Sequence, residues 1–150
     1  MKIRPFELGD AKDIARLHTS EKGWFEEDYV SEEFVDAASR RLDFQFFVAI
    51  DLDGRFAGFV GALFYDSVGR AEVGPIAVEP YARGKGVGGE LLESMVEFLR
   101  GKGIRRVAAL VKAGNKEALR FFEYHGFHNE ALLGSYTRRG EDVAQLVRFI

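Results

Sequence analysis

Between Arg70 and Arg100 the chain reads RAEVGPIAVEPYARGKGVGGELLESMVEFLR, and few folds can hold such a stretch. Residues Ala71 to Val78 read as a strand, Glu79 to Ala82 as a short turn and Arg83 to Gly89 as a glycine-rich loop. A long amphipathic helix follows, in which Leu91, Leu92, Met95, Val96 and Leu99 recur at helical spacing. The remaining segments are read as packing around this unit.

The strand contains Gly74-Pro75. Proline donates nothing to a ladder, so within an otherwise central strand it predicts a bulge or a place where the neighbouring strand departs; a plain strand end is the alternative. The loop carries four glycines, Gly84, Gly86, Gly88 and Gly89, within six residues. Their backbone can turn tightly and come close to a ligand, and the first N–H groups of the helix lack intrahelical partners. Free donors at the positive end of a helix dipole suit a phosphate, and Arg83 and Lys85 add charge.

Three phosphate motifs compete. A Walker loop needs GxxxxGK followed by Ser or Thr, which the chain lacks. The dinucleotide pattern GxGxxG matches at Gly84, Gly86 and Gly89, but a turn separates it from its strand. Where an acid is expected roughly 20 residues on, after the next strand, stands Lys112. The third motif, R-x-x-G-x-G, is filled by Arg83, Gly86 and Gly88. With the second stretch NKEALRFFEYHGF (Asn115 to Phe127), it resembles the GNAT superfamily of acetyl-coenzyme A dependent N-acetyltransferases.

That resemblance covers essentially the whole chain and implies a fold: an α/β (α+β) acyl-coenzyme A N-acyltransferase domain over residues 1–150. It would have a mixed sheet of about six or seven strands, splayed between strands 4 and 5, and about four helices. It also implies acetyl-coenzyme A as co-substrate. Ile76, Ala77 and Val78 would bind the pantetheine arm, with the Val78 N–H as oxyanion donor. Arg83, Gly84, Lys85, Gly86, Val87, Gly88 and Gly89 would hold the pyrophosphate, with Asn115 and Phe122 contributing further along the cofactor.

Composition sets limits on the rest. A chain of 150 residues is most simply one domain, and a net charge of −3 argues against an electrostatic nucleic-acid or membrane binder. Without cysteine there is no disulfide, thiolate metal site or cysteine acyl-enzyme, and no metal is expected. MKIRPF lacks the apolar core of a signal peptide, and no run of about 18 apolar residues occurs, so a cytoplasmic protein is the default expectation. A homodimer is left open.

In chain order, Met1 to Phe6 reads as an edge strand. Asp10 is expected to cap a helix carrying Ile14 and Leu17 inward, and Ser31 one carrying Phe34, Ala37 and Ala38. Between them, EKGWFEEDY (residues 21–29) holds the only Trp, Trp24, with Phe25 and Tyr29; such a link either helps to form an acceptor pocket or seals the core. His18 reads as helix packing or a solvated face. Phe44 to Ile50 and Arg55 to Phe64 form a hairpin, Val107 to Val111 a buried strand parallel to the central one, and Phe127 to Gly134 with Asp142 to Ile150 a final antiparallel pair.

The implied chemistry is direct attack of a small-molecule or peptide amine on the thioester. An ammonium with a reference pKa of about 10.4 must first lose its proton, and Glu72, near the start of the central strand, is the candidate base, with an exposed strand-end acid as the alternative. Family members with a general acid usually carry F-Y-E; here the string is Phe121-Phe122-Glu123. Tyr124 lies about 200° further around the helix, leaving Tyr136 as a candidate substitute or acceptor contact. YTRRGED (Tyr136 to Asp142) is similar to the YYxxGED segment of N-terminal peptide acetyltransferases. A non-catalytic acyl-coenzyme A sensing module of the same fold is the competing reading.

Overall fold

The computed structural model describes residues 1–21, 24–25 and 27–150. Elements follow in the order β1 (Lys2–Pro5), α1 (Ala11–Ser20), α2 (Glu32–Ser39), β2 (Phe44–Ile50), β3 (Phe56–Tyr65), β4 (Arg70–Val78), α3 (Val87–Gly101), β5 (Arg106–Lys112), α4 (Lys116–Tyr124), β6 (His128–Leu133) and β7 (Val143–Phe149). The strands make one seven-stranded sheet, ordered β1-β2-β3-β4-β5-β7-β6. Every adjacent pair is antiparallel except β4 and β5, which α3 connects by a crossover, as a parallel pair requires.

The helices cover both faces. Leu91, Leu92, Met95, Val96 and Leu99 of α3 are all but inaccessible and pack with Val60, Ala62, Val107 and Ala109. Ile14 and Leu17 of α1 and Val35 of α2 bury against Val48, Phe59 and Ala77 on the opposite face. No helix among the described residues is long and apolar enough to cross a membrane.

Three local expectations change. Ser31 caps α2 by accepting the Phe34 N–H at 3.0 Å, yet Val35 faces the core while Phe34 is 57% exposed. Each residue turns a helix by about 100°, so a one-residue error in phase exchanges the two. Asp10 does not cap α1, because a 3-10 turn at Leu8–Asp10 has already wound the chain there. Its buried carboxylate instead accepts the Glu7 N–H at 2.7 Å and the Arg4 guanidinium at 2.8 and 3.1 Å. Finally, α3 begins at Val87, with Glu90 N–H donating to Gly86 O at 3.1 Å, so Gly88 and Gly89 belong to its first turn and not to the loop.

Gly74-Pro75 produces both features that its position in the sequence suggests. Val60 pairs with Ile76 and Ala62 with Val73, so one residue of β3, Gly61, opposes two of β4. The peptide between Gly74 and Pro75 is cis. Pairing with β5 is confined to Arg70, Ala71 and Glu72, opposite Arg106, Val107 and Ala108. Beyond Glu72 the two strands part, and the sheet opens into a wedge.

Candidate active site

The wedge is the floor of a cavity of about 730 Å³, lined by β4 from Glu72 to Val78, the start of α3, the end of β5 and α4. The β3–β4 register determines which backbone groups face it. Glu79 N–H donates to Ala57 O at 2.8 Å, and hydrogen-bonded pairs alternate along an antiparallel ladder. Phe59 and Ala77 are therefore the next bonded pair, while Ile76 and Val78 direct their N–H and C=O groups away from β3, into the wedge. In keeping with this, Val78 O accepts a hydrogen bond from Arg83 Nε at 2.9 Å. Of the three consecutive residues singled out in the sequence, Ile76 and Val78 offer backbone donors to the cavity, and Ala77 is engaged with β3.

The bulge also decides where Glu72 points. Without it, Glu72 would share a face with Gly74 and Ile76. The extra residue reverses the parity. Ala71 and Val73 lie with the α3 core, Ile76 and Val78 pack against that core, and Ala77 belongs to the α1–α2 side. Glu72, opposite in phase to Ala71 and Val73, thus projects toward α1 and α2. It is exposed, makes no hydrogen bond among the described residues and lines both the main cavity and a smaller one beside it.

At the far end of the wedge the loop is open. Gly84 and Gly86 have φ of +76° and +81°, and an added Cβ would meet nothing within 4 Å. The amide N–H groups from Gly84 to Gly89 have no acceptor among the described residues. This row of free donors at a helix N-terminus matches the needs of a diphosphate. Gly88 and Gly89 are small for a further reason: a Cβ would lie 3.1 Å from the Phe121 ring and 2.7 Å from His125, so they also let α3 and α4 approach. Val87 is buried and lines the cavity, whereas Lys85 is exposed and stands off its wall. The Arg83 guanidinium also holds Glu21.

On the α4 side, Asn115 lines the cavity and caps the helix, its Oδ1 accepting the Ala118 N–H at 3.1 Å. Phe122 reaches the cavity wall but is 3% exposed, its ring edge-on to Phe121 and Phe127 at 5.2 and 5.1 Å. Tyr124 touches the cavity mouth and is otherwise exposed. Tyr136 is 47% exposed and does not line the cavity; its strand-end turn is instead tied to the α1–α2 link by an ion pair between Arg139 and Asp28.

That link divides its aromatic residues. Phe25 packs on the core and stacks on His18 at 4.6 Å, while Trp24 is half exposed at the cavity and Tyr29 faces out. The part of the expectation for 21–29 that falls on Lys22, Gly23 and Glu26 lies outside the described residues. His18, read from the sequence as helix packing or a solvated face, is buried, lies 2.9 Å from Glu27 O through Nε2 and also lines both cavities, a position the sequence reading did not anticipate. Its spacing of four from Ile14 was the available signal. Lys112, which ends β5, is 7% exposed and pairs with Glu141 at 3.1 Å. The lysine, helped by Thr137, holds the Glu141 carboxyl below its ordinary range. Among the described residues no cluster of His, Cys, Asp or Glu has the arrangement of a metal site.

Comparison with known proteins agrees with this geometry. The model of the acetyltransferase (GNAT) family matches residues 11–127. The mycothiol acetyltransferase of Clavibacter sepedonicus is 35% identical over 112 residues, which are 75% of this chain and 34% of that protein, so the chain spans about a third of that relative's length. A Bacillus subtilis protein named provisionally as a ribosomal protein bS18-alanine N-acetyltransferase is 26% identical, over 87% of this chain and 85% of its own. The crystal structure of a Desulfovibrio desulfuricans protein assigned provisionally to the GNAT acetyltransferases superposes with a TM-score of 0.84 at 27% identity, covering 99% of this chain and 98% of that one. The family match, the parted strands and the open glycine loop converge: the chain belongs to the acetyltransferase (GNAT) family.

Proposed function

We propose that residues 1–150 form a single catalytic domain that transfers an acetyl group from acetyl-coenzyme A to a primary amine by direct attack in a ternary complex. The observation that carries the reading is the wedge between β4 and β5, with Val78 N–H directed into it and the free amides of Gly84 to Gly89 at its end. The coenzyme would supply a thioester carbonyl. The amides from Gly84 to Gly89 bind its diphosphate, with Lys85 nearby and Arg83 anchoring the loop to Val78. Ile76 and Val78 orient the pantetheine arm, Asn115 and Phe122 border its path, and Val78 N–H donates to the carbonyl oxygen as negative charge gathers there. Such a preorganised donor is worth about 2.7–4 kcal/mol.

Glu72 takes the proton of the incoming amine, directly or through water. Among the described residues neither of its oxygens has a partner, which leaves both available for that transfer. The departing thiolate has a reference pKa of about 8.5 and leaves without an acid. The acceptor within this reading is a small-molecule amine, a protein N-terminus or a lysine.

A non-catalytic acyl-coenzyme A sensor is the second reading. It is favoured by the buried Phe122 in place of the family's tyrosine and by the position of Tyr136 off the cavity. Release of free thiol from acetyl-coenzyme A with a panel of amines tests the two. Amine-dependent thiol release is expected, and tight coenzyme binding without turnover on any amine would overturn the enzymatic reading.

A further inference from the structure

The smaller cavity, of about 260 Å³, opens off the main one where Glu72, Gly74, Pro75, His18 and Glu27 line both. We infer that it is a side chamber for the acceptor, and that the acceptor is a primary amine carrying a bulky apolar group, aromatic or branched aliphatic. This rests on the acetyl-transfer reading above and narrows its substrate class.

The chamber has two chemically distinct ends. At the neck stand Glu72, whose carboxylate the bulge turns to this side of the sheet and which suits an ammonium, and Glu27. Beyond it the walls are Phe44, Phe46, Phe59, Leu63, Val35 and Ala38. Phe59 is inaccessible to solvent, and the Phe44 and Phe46 rings meet edge-on at 4.8 Å. Arg41, also on the wall, is bound by Asp43 through two hydrogen bonds of 2.8 and 2.9 Å. Among the described residues the far end therefore presents no acid to a second ammonium, which disfavours a polyamine, and few polar atoms to a sugar. A cavity of about 150 Å³ with such walls accommodates benzene, so this one has room for a phenyl ring and its linker. The bulge is what joins the two ends, because it turns Glu72 onto the chamber's side of the sheet.

Calorimetric titration of the protein with 2-phenylethylamine, ethylamine and spermidine tests the assignment. Burial of the ring is expected to make 2-phenylethylamine bind about tenfold to hundredfold more tightly than ethylamine, and more tightly than spermidine. Ala38→Trp, at a half-buried position on α2, fills the chamber and should reduce that preference to less than about threefold. Leu63→Trp, on the opposite wall, should do the same and serves if Ala38→Trp does not fold. Equal affinity for the two monoamines, tighter binding of spermidine, or a preference that survives both substitutions would overturn the chamber. Thiol release is read separately. Chamber-dependent amine binding without turnover would sink acetyl transfer and uphold the binding site, whereas turnover without the aromatic preference would do the reverse.

Discussion

Replacing Glu72 by Gln removes a proton acceptor and little else. The carboxylate is exposed and has no hydrogen bond or ion pair among the described residues, so the expected change in stability is within about 0.5 kcal/mol. Loss of a positioned general base typically costs about 10²–10⁴ in rate, equivalent to about 3–5 kcal/mol in the barrier. The pH dependence carries more information than the size. Without Glu72 the reaction depends on amine that has already lost its proton, a fraction of about one in a thousand three pH units below a pKa of about 10.4, growing about tenfold per unit. The ratio of variant to wild-type kcat/KM should therefore be smallest near pH 7 and recover toward pH 9 to 10. The assay is thiol release across pH 6.5 to 9.5, with the melting temperature and the KM for acetyl-coenzyme A as controls. A fall of less than threefold, or a ratio that does not change with pH, would refute the role given to Glu72.

Lys85→Glu alters an exposed side chain beside the free amides, so the KM for acetyl-coenzyme A should rise about tenfold to hundredfold with the melting temperature unchanged; unaltered affinity would remove the loop from phosphate binding. Gly58→Ala would place a Cβ 2.7 Å from Ala77 O and 3.2 Å from Val78 Cα. Because both are backbone atoms, β4 must shift, at about 1–3 kcal/mol by denaturant titration and with lower kcat, and an unchanged midpoint would contradict the close approach. Arg106, with Gln145, holds the Glu130 carboxyl down to about 2. A depressed folded-state value stabilises the fold above the unfolded carboxyl's range, near 4.3, and that contribution is lost as pH falls toward 2. NMR titration should find Glu130 ionised at pH 3 and returned toward the ordinary range by Arg106→Gln; ordinary titration in the wild type would exclude the pair.

Much of the candidate site was legible because its signals are local. Four glycines before an amphipathic helix specify free amides at that helix's start whatever surrounds them, and Asn115 three residues before Ala118 specifies a cap. The family motifs extended that reading to Ile76 and Val78. Residues that meet only through packing were not legible. His18, Glu27 and Lys112 come from α1, the following link and β5, and nothing in their own segments marks them as lining one cavity with Glu72. The phase of α2 was missed because Phe34 and Val35 are adjacent apolar residues and only the partner helix and sheet decide which one turns inward. Gly88 and Gly89 were read for a ligand, and the structure adds the close approach of α4.

The sequence by itself determined the order of strands and helices, the glycine-rich entry to α3 and the interruption at Gly74-Pro75, since periodicity, capping and backbone freedom act within a few residues. Only the tertiary structure decided that β4 and β5 part after Glu72, that the bulge carries Glu72 onto the α1–α2 face, and that a second chamber opens beside it. These depend on strand register and on side chains far apart in the chain, and a single extra residue in a ladder reverses the face of everything beyond it.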